Sequence, residues 1–279
     1  MSINGQFPVP ERLVPVLHAL PRPLYARTES LARAERTRMH RHPWVQLSYA
    51  ISGVLHVHTP GESFVAPPQR AVWIPAEMDH EVLSFAHTEM RSLYLDASLF
   101  GSANDHCRVI EITPLTHELI KQFCTLDTEY DEQGAEGRLA RVLTDQLRMA
   151  REVSMSLPLP QDPRALQLCR KLQDSPDDDR TLVEWGEELG ASEKTLRRIL
   201  MRETGLTFRV WRQRLRLLGA LEELGQGIKV TQVALNFGYQ STSAFISAFR
   251  VQFGVTPGDF FPGHRVRPPM PGANPQAEW

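Results

Sequence analysis

The strongest constraint on this chain is a pattern that occurs twice in its second half. In TLVEWGEELGASEKTLRRILMRETG, which begins at Thr181, Gly186 is a small residue and Gly190 a turn residue four positions later. Trp185, Leu189, Ala191, Leu196 and Ile199 surround them. In VTQVALNFGYQSTSAFISAFRVQFGVTP, which begins at Val230, Ala234 and Gly238 take the same places among Val233, Phe237, Tyr239, Phe245, Ala248 and Phe249. Two helices that cross closely need a small residue at the crossing, a turn residue tolerant of positive φ, and apolar residues around both. One such match is a weak signal. Two, with turn glycines 48 residues apart and the helix-like run Phe208–Leu224 between them, predict paired helix-turn-helix units.

Ser192 follows the first turn as an N-cap and opens a helix over Glu193–Arg202. With Leu196, Ile199 and Leu200 inward, its outer face carries Lys194, Arg197 and Arg198, the face that a recognition helix presents to a major groove. In the joining helix Trp211, Leu215, Leu218 and Leu221 are expected inward, and Arg212, Arg214 and Arg216 outward. The aromatic residues at helical spacing are read as core rather than as base-stacking platforms.

The overall charge hides this region. The chain carries 31 Lys and Arg against 33 Asp and Glu, a net charge of −2, which excludes a uniformly basic coat for nucleic acid. Locally the balance is different. Asp174–Glu193 contains eight acids and one base, and Lys194–Arg216 eight bases and one acid. A net +7 over so short a span points to a polyanionic partner.

No apolar run approaches the roughly 20 residues that span a bilayer, and the first residues lack the pattern of a secretory signal. The three cysteines, Cys107, Cys124 and Cys169, form no C-x-x-C pair. A cytoplasmic protein with no membrane partner is expected.

The second half resembles the AraC/XylS family of bacterial transcription regulators. The resemblance rests on SEKTLRRILMRETG, WRQRLRLLGALEEL and GYQSTSAFISAFRVQFGVTP, and it covers about Arg164–Phe261. It implies two helix-turn-helix units that enter successive major grooves of double-stranded promoter DNA. Lys194, Arg197 and Arg198 then become contacts of the first unit. Thr242, Ser243, Ile246 and Ser247 form the matching face of the second, and Arg250 reaches a phosphate. Ser247 stands where the family often has a basic residue, so the first unit is expected to dominate base reading.

From about Tyr25 to Asp96, the short runs WVQLSYAIS, VLHVHT, SFVAPP, RAVWIP, HEVLSF and RSLYL alternate with turn signals, as in an all-β sandwich or barrel. His40 and His42, two apart, project from one face of a strand. Gln46 and Gly53 follow, and later Pro75 and His80. This spacing resembles the two motifs of the cupin barrel, with Gln46 in place of Glu and Glu77 where Gly is usual. In catalytic cupins these positions hold a divalent transition metal. Three uses stay open for His40, His42 and His80: metal binding, lining an effector pocket with Gln46, or hydrogen bonding in the barrel mouth. His56 and His58 also alternate but lack a third partner, and are expected at the surface.

The fold expected is α+β: a cupin-like β-barrel with flanking helices, then an all-α domain with two helix-turn-helix units. The divisions are a sensing and dimerising domain over 1–156, a linker over 157–163, a DNA-binding domain over 164–261 and a flexible tail over 262–279. Apolar residues at helical spacing mark amphipathic helices at Leu115–Leu126 and Leu139–Val153, the latter through Leu139, Val142, Leu143, Leu147 and Ala150; the family resemblance implies that such helices flank the barrel and make a homodimer. A small-molecule effector, and RNA polymerase for an activator, complete the partners. The rival reading is a metal-dependent barrel enzyme, an oxygenase or isomerase. Gln46 and the lack of an acid–base partner weigh against it, and no enzyme is expected. A helical adaptor for protein is a third class, disfavoured by the paired turns.

Overall fold

The computed structural model describes residues 10–14, 17–32, 35–100 and 106–261; the tail expected over 262–279 lies outside the described residues. The six β-branched and aromatic runs between turn signals form the middle of the barrel. They are β4 (Val45–Ser52), β5 (Leu55–Thr59), β6 (Glu62–Ala66), β7 (Arg70–Ile74), β8 (Glu81–Ser84) and β9 (Thr88–Leu95). Pro67, Pro68 and Pro75 fall just beyond the ends of β6 and β7, where no ladder amide is needed.

Shorter strands complete two facing sheets. They are β1 (Glu11–Arg12), β2 (Leu24–Leu31), β3 (Glu35–Thr37), β10 (Arg108–Glu111), β11 (Glu152–Val153) and β12 (Ser156–Pro158). One sheet runs β1-β3-β8-β5-β6-β12 and the other β11-β10-β7-β4-β9-β2, antiparallel throughout except for β1 with β3. Val57, Phe64, Val72, Ile74, Val82 and Met90 fill the space between them.

The two outer faces are covered differently. On the second sheet Leu47, Trp73 and Leu93 pack against Ile120, Phe123, Leu143 and Leu147 of α1 (Pro114–Phe123) and α2 (Ala135–Arg148). Val142, one of the apolar residues at helical spacing, is 47% exposed, because the buried stripe of α2 runs through Ala140, Leu143 and Leu147. The first sheet is covered by the C-terminal half of the chain. That half comprises α3 (Pro163–Asp174), α4 (Leu182–Leu189), α5 (Glu193–Thr204), α6 (Phe208–Gly225), α7 (Val230–Asn236), α8 (Thr242–Phe253) and α9 (Pro257–Phe260).

The stretch read as a linker begins inside the barrel. Leu157 and Pro158 belong to β12, Leu157 is buried, and Pro158 O accepts a hydrogen bond from Trp211 Nε1 at 2.7 Å. Apolar packing runs without a break from the barrel interior through Leu157 to Trp211 and Leu221. His56, expected at the surface, is buried under this contact.

The three cysteines are unpaired. Burial raises the thiols of Cys107 and Cys169 and pushes Cys124 up to about 11, which leaves little reactive thiolate. Among the described residues no helix is long and apolar enough to cross a membrane.

Candidate nucleic-acid interface and effector site

Each helix-turn-helix is built from local chemistry. Thr181 and Glu184 close a capping box at the start of α4, and Gly190 ends that helix at φ 63°. A Cβ on Gly186 would lie 2.3 Å from Ala191 O, so only glycine lets α4 approach the turn. Ser192 Oγ then accepts from Thr195 N and starts α5 at Glu193. In the second unit Ala234 is buried at the crossing and Ser241 Oγ accepts from Ala244 N ahead of α8.

Lys194, Arg197 and Arg198 lie exposed along α5 beyond buried Leu196, Ile199 and Leu200. Arg197 pairs with Glu193 one turn back, whereas Lys194 and Arg198 form no ion pair among the described residues. On α8, Ser243, Ser247 and Arg250 are exposed, and Thr242 and Ile246 half-buried. The structure thus places the named side chains on the outer faces of the two helices that follow the turns.

The bases of α6 are arranged otherwise. Arg212 Nη1 donates to Arg180 O at 2.8 Å, and its guanidinium lies 4.9 Å from the centre of the Phe208 ring. Arg216 makes four hydrogen bonds to main-chain and carboxylate oxygens. Both were expected outward and both turn into the protein, because α6 lies between the two units and has little free surface. Part of the apparent positive charge is therefore internal.

The histidine site is assembled by one backbone bridge. His40 N donates to His80 O and His80 N to His40 O, each at 2.9 Å, which brings the two rings to 4.3 Å. His42 lies in the extended lead-in to β4 rather than on a strand shared with His40. Its carbonyl accepts from Glu77 N at 2.8 Å. Glu77, in the place where glycine is usual, has φ 61°; the backbone takes the left-handed form regardless of the side chain.

One ring nitrogen from each of His40, His42 and His80 lies within 4.8 Å of the other two. Each Nδ1 faces a main-chain carbonyl: Arg38 O at 2.8 Å, Trp44 O at 2.9 Å and Met78 O at 2.8 Å respectively. Nδ1 therefore carries the proton and donates, leaving a bare lone pair on each Nε2. Burial lowers His42 and pushes His80 down to about 3, so both rings stay neutral near pH 7.

Gln46 Oε1 lies 2.8 Å from His42 Nε2 and 3.2 Å from His80 Nε2, while Gln46 Nε2 donates to Ser48 Oγ at 2.9 Å. Acceptors thus face an acceptor. Two arrangements relieve this conflict. The amide can turn end for end, donating to both rings and accepting from Ser48, or a cation can sit among the lone pairs. Imidazoles whose other nitrogen is held by a carbonyl have the orientation that metal ligation requires, and three such nitrogens with an amide oxygen fit a divalent transition metal such as Zn, Ni, Fe or Cu.

Sequence reasoning missed the aromatic wall beside them. Trp44 stacks on His42 with ring centres 5.2 Å apart, and Tyr94 meets His42 edge-on at 5.7 Å. Trp44 Nε1 is buried without a partner. Its position two residues after His42 was the available signal.

The family described as AraC-like ligand binding domain matches residues 25–145, and the helix-turn-helix domain family matches residues 185–262. The chain is 33% identical over 222 residues to the HTH-type transcriptional regulator NimR of Escherichia coli (strain K12), covering 80% of this chain and 81% of that protein. It is 32% identical over 125 residues to the HTH-type transcriptional regulator RipA of Corynebacterium glutamicum, covering 45% of this chain and 36% of RipA. Among solved structures, ToxT from Vibrio cholerae aligns with 86% of this chain and 98% of its own, at 11% identity and a TM-score of 0.37.

Proposed function

Because the chain belongs to the AraC family of transcription regulators, a ligand-responsive group that binds DNA, we propose that its two helix-turn-helix units read adjacent major grooves unequally. Lys194, Arg197 and Arg198 contact bases and phosphates in the first groove, with arginine able to bond guanine through two donors. Thr242, Ser243, Ser247 and Arg250 position the second unit through weaker contacts and a phosphate. What supports this reading is the exposed, cationic face of α5 behind its capped turn, against a hydroxyl face on α8.

The test is a footprint of the full chain on duplex DNA selected from a random pool. Loss of a two-donor base contact costs about 1–3 kcal/mol, so Arg197→Ala with Arg198→Ala should abolish sequence-specific protection with the fold intact. Retained specificity would overturn the assignment of α5. Affinity of the wild type should fall steeply with salt as counterions are released.

The barrel is the sensing part and runs through β12 to Pro158; a short connection over 159–162 leads to the DNA-binding part, which starts with α3 at Pro163 and runs to 261. Its effector site comprises His40, His42, Gln46 and His80, and the convergence of acceptors supports a divalent transition metal there. His40, His42 and His80 with the Gln46 amide would hold such an ion, which would supply a positive charge at the mouth of the barrel between the lead-ins to β4 and β8. A ligand acts on DNA binding only by favouring one of two arrangements of the domains. The protein is read as a regulator and not an enzyme, working in the cytoplasm where promoter DNA is. On the outer side of α2, Val142 and, just past the helix end, Met149 are exposed seven residues apart, with half-buried Gln146 between them and half-buried Leu139 one turn earlier, a coiled-coil-like seam. That seam supports a homodimer, and RNA polymerase is a further partner if the protein activates.

A further inference from the structure

We infer that Arg216 is a positioning residue for DNA recognition: it locks the two recognition helices at one separation and rotation, so the protein accepts its two half-sites at one spacing. This rests on the reading that both α5 and α8 enter DNA.

Arg216 lies mid-way along α6, with only 11% of its side chain exposed. Toward the first unit it reaches the loop that leads into α4. Nε donates to Pro176 O at 2.6 Å, and Nη2 donates to Asp178 O at 3.1 Å and Asp179 Oδ1 at 2.7 Å. Toward the second unit, Nη1 donates to Gly238 O, the turn between α7 and α8, at 3.3 Å. One planar group therefore holds the entry of one unit and the turn of the other.

The packing is as close as the bonding. A Cβ on Gly238 would lie 2.8 Å from Arg216 Nη2, 2.9 Å from its Cζ and 3.1 Å from Asp177 Cα. The second turn thus rests on the guanidinium and on the loop of the first unit. Gly238 also has φ 72°, so this position needs glycine for two reasons. Rotating one unit against the other must break bonds on one side of Arg216. A lysine ammonium, a single point donor, cannot span the same oxygens in one plane.

The consequence is a spacing rule. One added base pair moves the second half-site by about 3.4 Å and turns it by roughly a tenth of a helical turn. A rigid pair of readers then loses contacts in one groove; a loosened pair follows the DNA.

The test uses the full chain on the selected duplex and on versions with one or two base pairs inserted between the two protected segments. Wild type should lose about tenfold or more in affinity per insertion, the worth of one good base contact. Arg216→Lys should bind the original duplex more weakly but lose less than about threefold on insertion, with an unchanged salt slope. Asp179→Ala removes one of the four bonds at an exposed carboxylate without endangering folding, and should flatten the profile partially. Equal loss at all spacings in both variants would make Arg216 merely structural. A salt slope reduced by about one would make it a phosphate contact instead. If wild type protects a single groove, the two-helix reading itself fails and this inference with it.

Discussion

His56 Nε2 lies 3.2 Å from Glu222 Oε2, with 5% and 14% of the two side chains exposed. One residue belongs to β5 of the barrel and the other to α6, which joins the two DNA-reading units. The pair is a polar contact inside a largely apolar seam, where a Cβ on Gly225 would lie 3.3 Å from Val54 Cγ2 and His56 packs edge-on to Phe85 at 4.7 Å. We expect a change in the barrel to reach the reading helices through this seam.

Removing Glu222 leaves the buried His56 Nε2 without its partner, which costs about 1–3 kcal/mol; removing His56 leaves Glu222 only its bond from Gln226 Nε2. His56→Ala and Glu222→Ala should each lower the urea midpoint, and the double variant should fall short of the sum of the singles. Both should also shrink the change in DNA affinity produced by Ni²⁺ or Zn²⁺. Additive losses with an unaltered metal response would show that the pair carries no coupling.

The histidine site gives a prediction with two signs. Gln46→Glu supplies a carboxylate, a better ligand for a divalent ion than a neutral amide, but buries a charge when no ion is present. Metal-free protein should therefore melt lower than wild type, and metal-loaded protein should gain more on loading. His42→Ala and His80→Ala should lose bound metal by elemental analysis while keeping basal DNA binding. A Gln46→Glu variant destabilised equally with and without metal would favour the turned amide over a cation.

The first turn allows a ranking of glycines. Gly186→Ala drives a methyl against a main-chain oxygen, and overpacking of that kind costs about 1–3 kcal/mol. Gly190→Ala meets no atom within 4 Å and suffers only the left-handed backbone, about 1–2 kcal/mol. Gly186→Ala should therefore be the more destabilising in chemical denaturation. The reverse order would mean that the crossing can open without loss.

The α2 seam predicts oligomeric state. Val142 and Met149 are 47% and 81% exposed, so glutamate at either is tolerated by a monomer. Val142→Glu with Met149→Glu should sediment as a folded monomer where wild type sediments as a dimer. A dimer that survives both changes would move the interface elsewhere.

Much of this was legible in the sequence, because local rules and tertiary outcome agree. The β-branched and aromatic runs between turn signals marked β4 to β9, and the small residue with its turn glycine marked both helix pairs. The spacing of His40, His42, Gln46 and His80 marked a cluster whose rings do meet. What escaped depends on partners distant in sequence. The inward turn of Arg216 is decided by carbonyls from the loop before α4 and the turn after α7. The burial of His56 is decided by a helix more than a hundred residues further on. Helical spacing alone does not separate outward Val142 from inward Leu143, because both satisfy it and only the sheet beneath selects between them. β12 escaped because a short strand with a proline at its end looks the same as a connection.

That last strand has a further meaning. The residues from Met155 to Leu159 pair with β6 along its outer side, including Val65 N to Met155 O and Leu159 N to Gly61 O, both at 3.0 Å. The chain that leaves the barrel is also the barrel's edge guard. A sensor fragment cut at 156 would bare a row of amides and carbonyls on β6, a template for strand exchange with another copy. The two halves are joined by shared secondary structure rather than by a tether, and the sensor completes its sheet only as the chain passes on to the reading half.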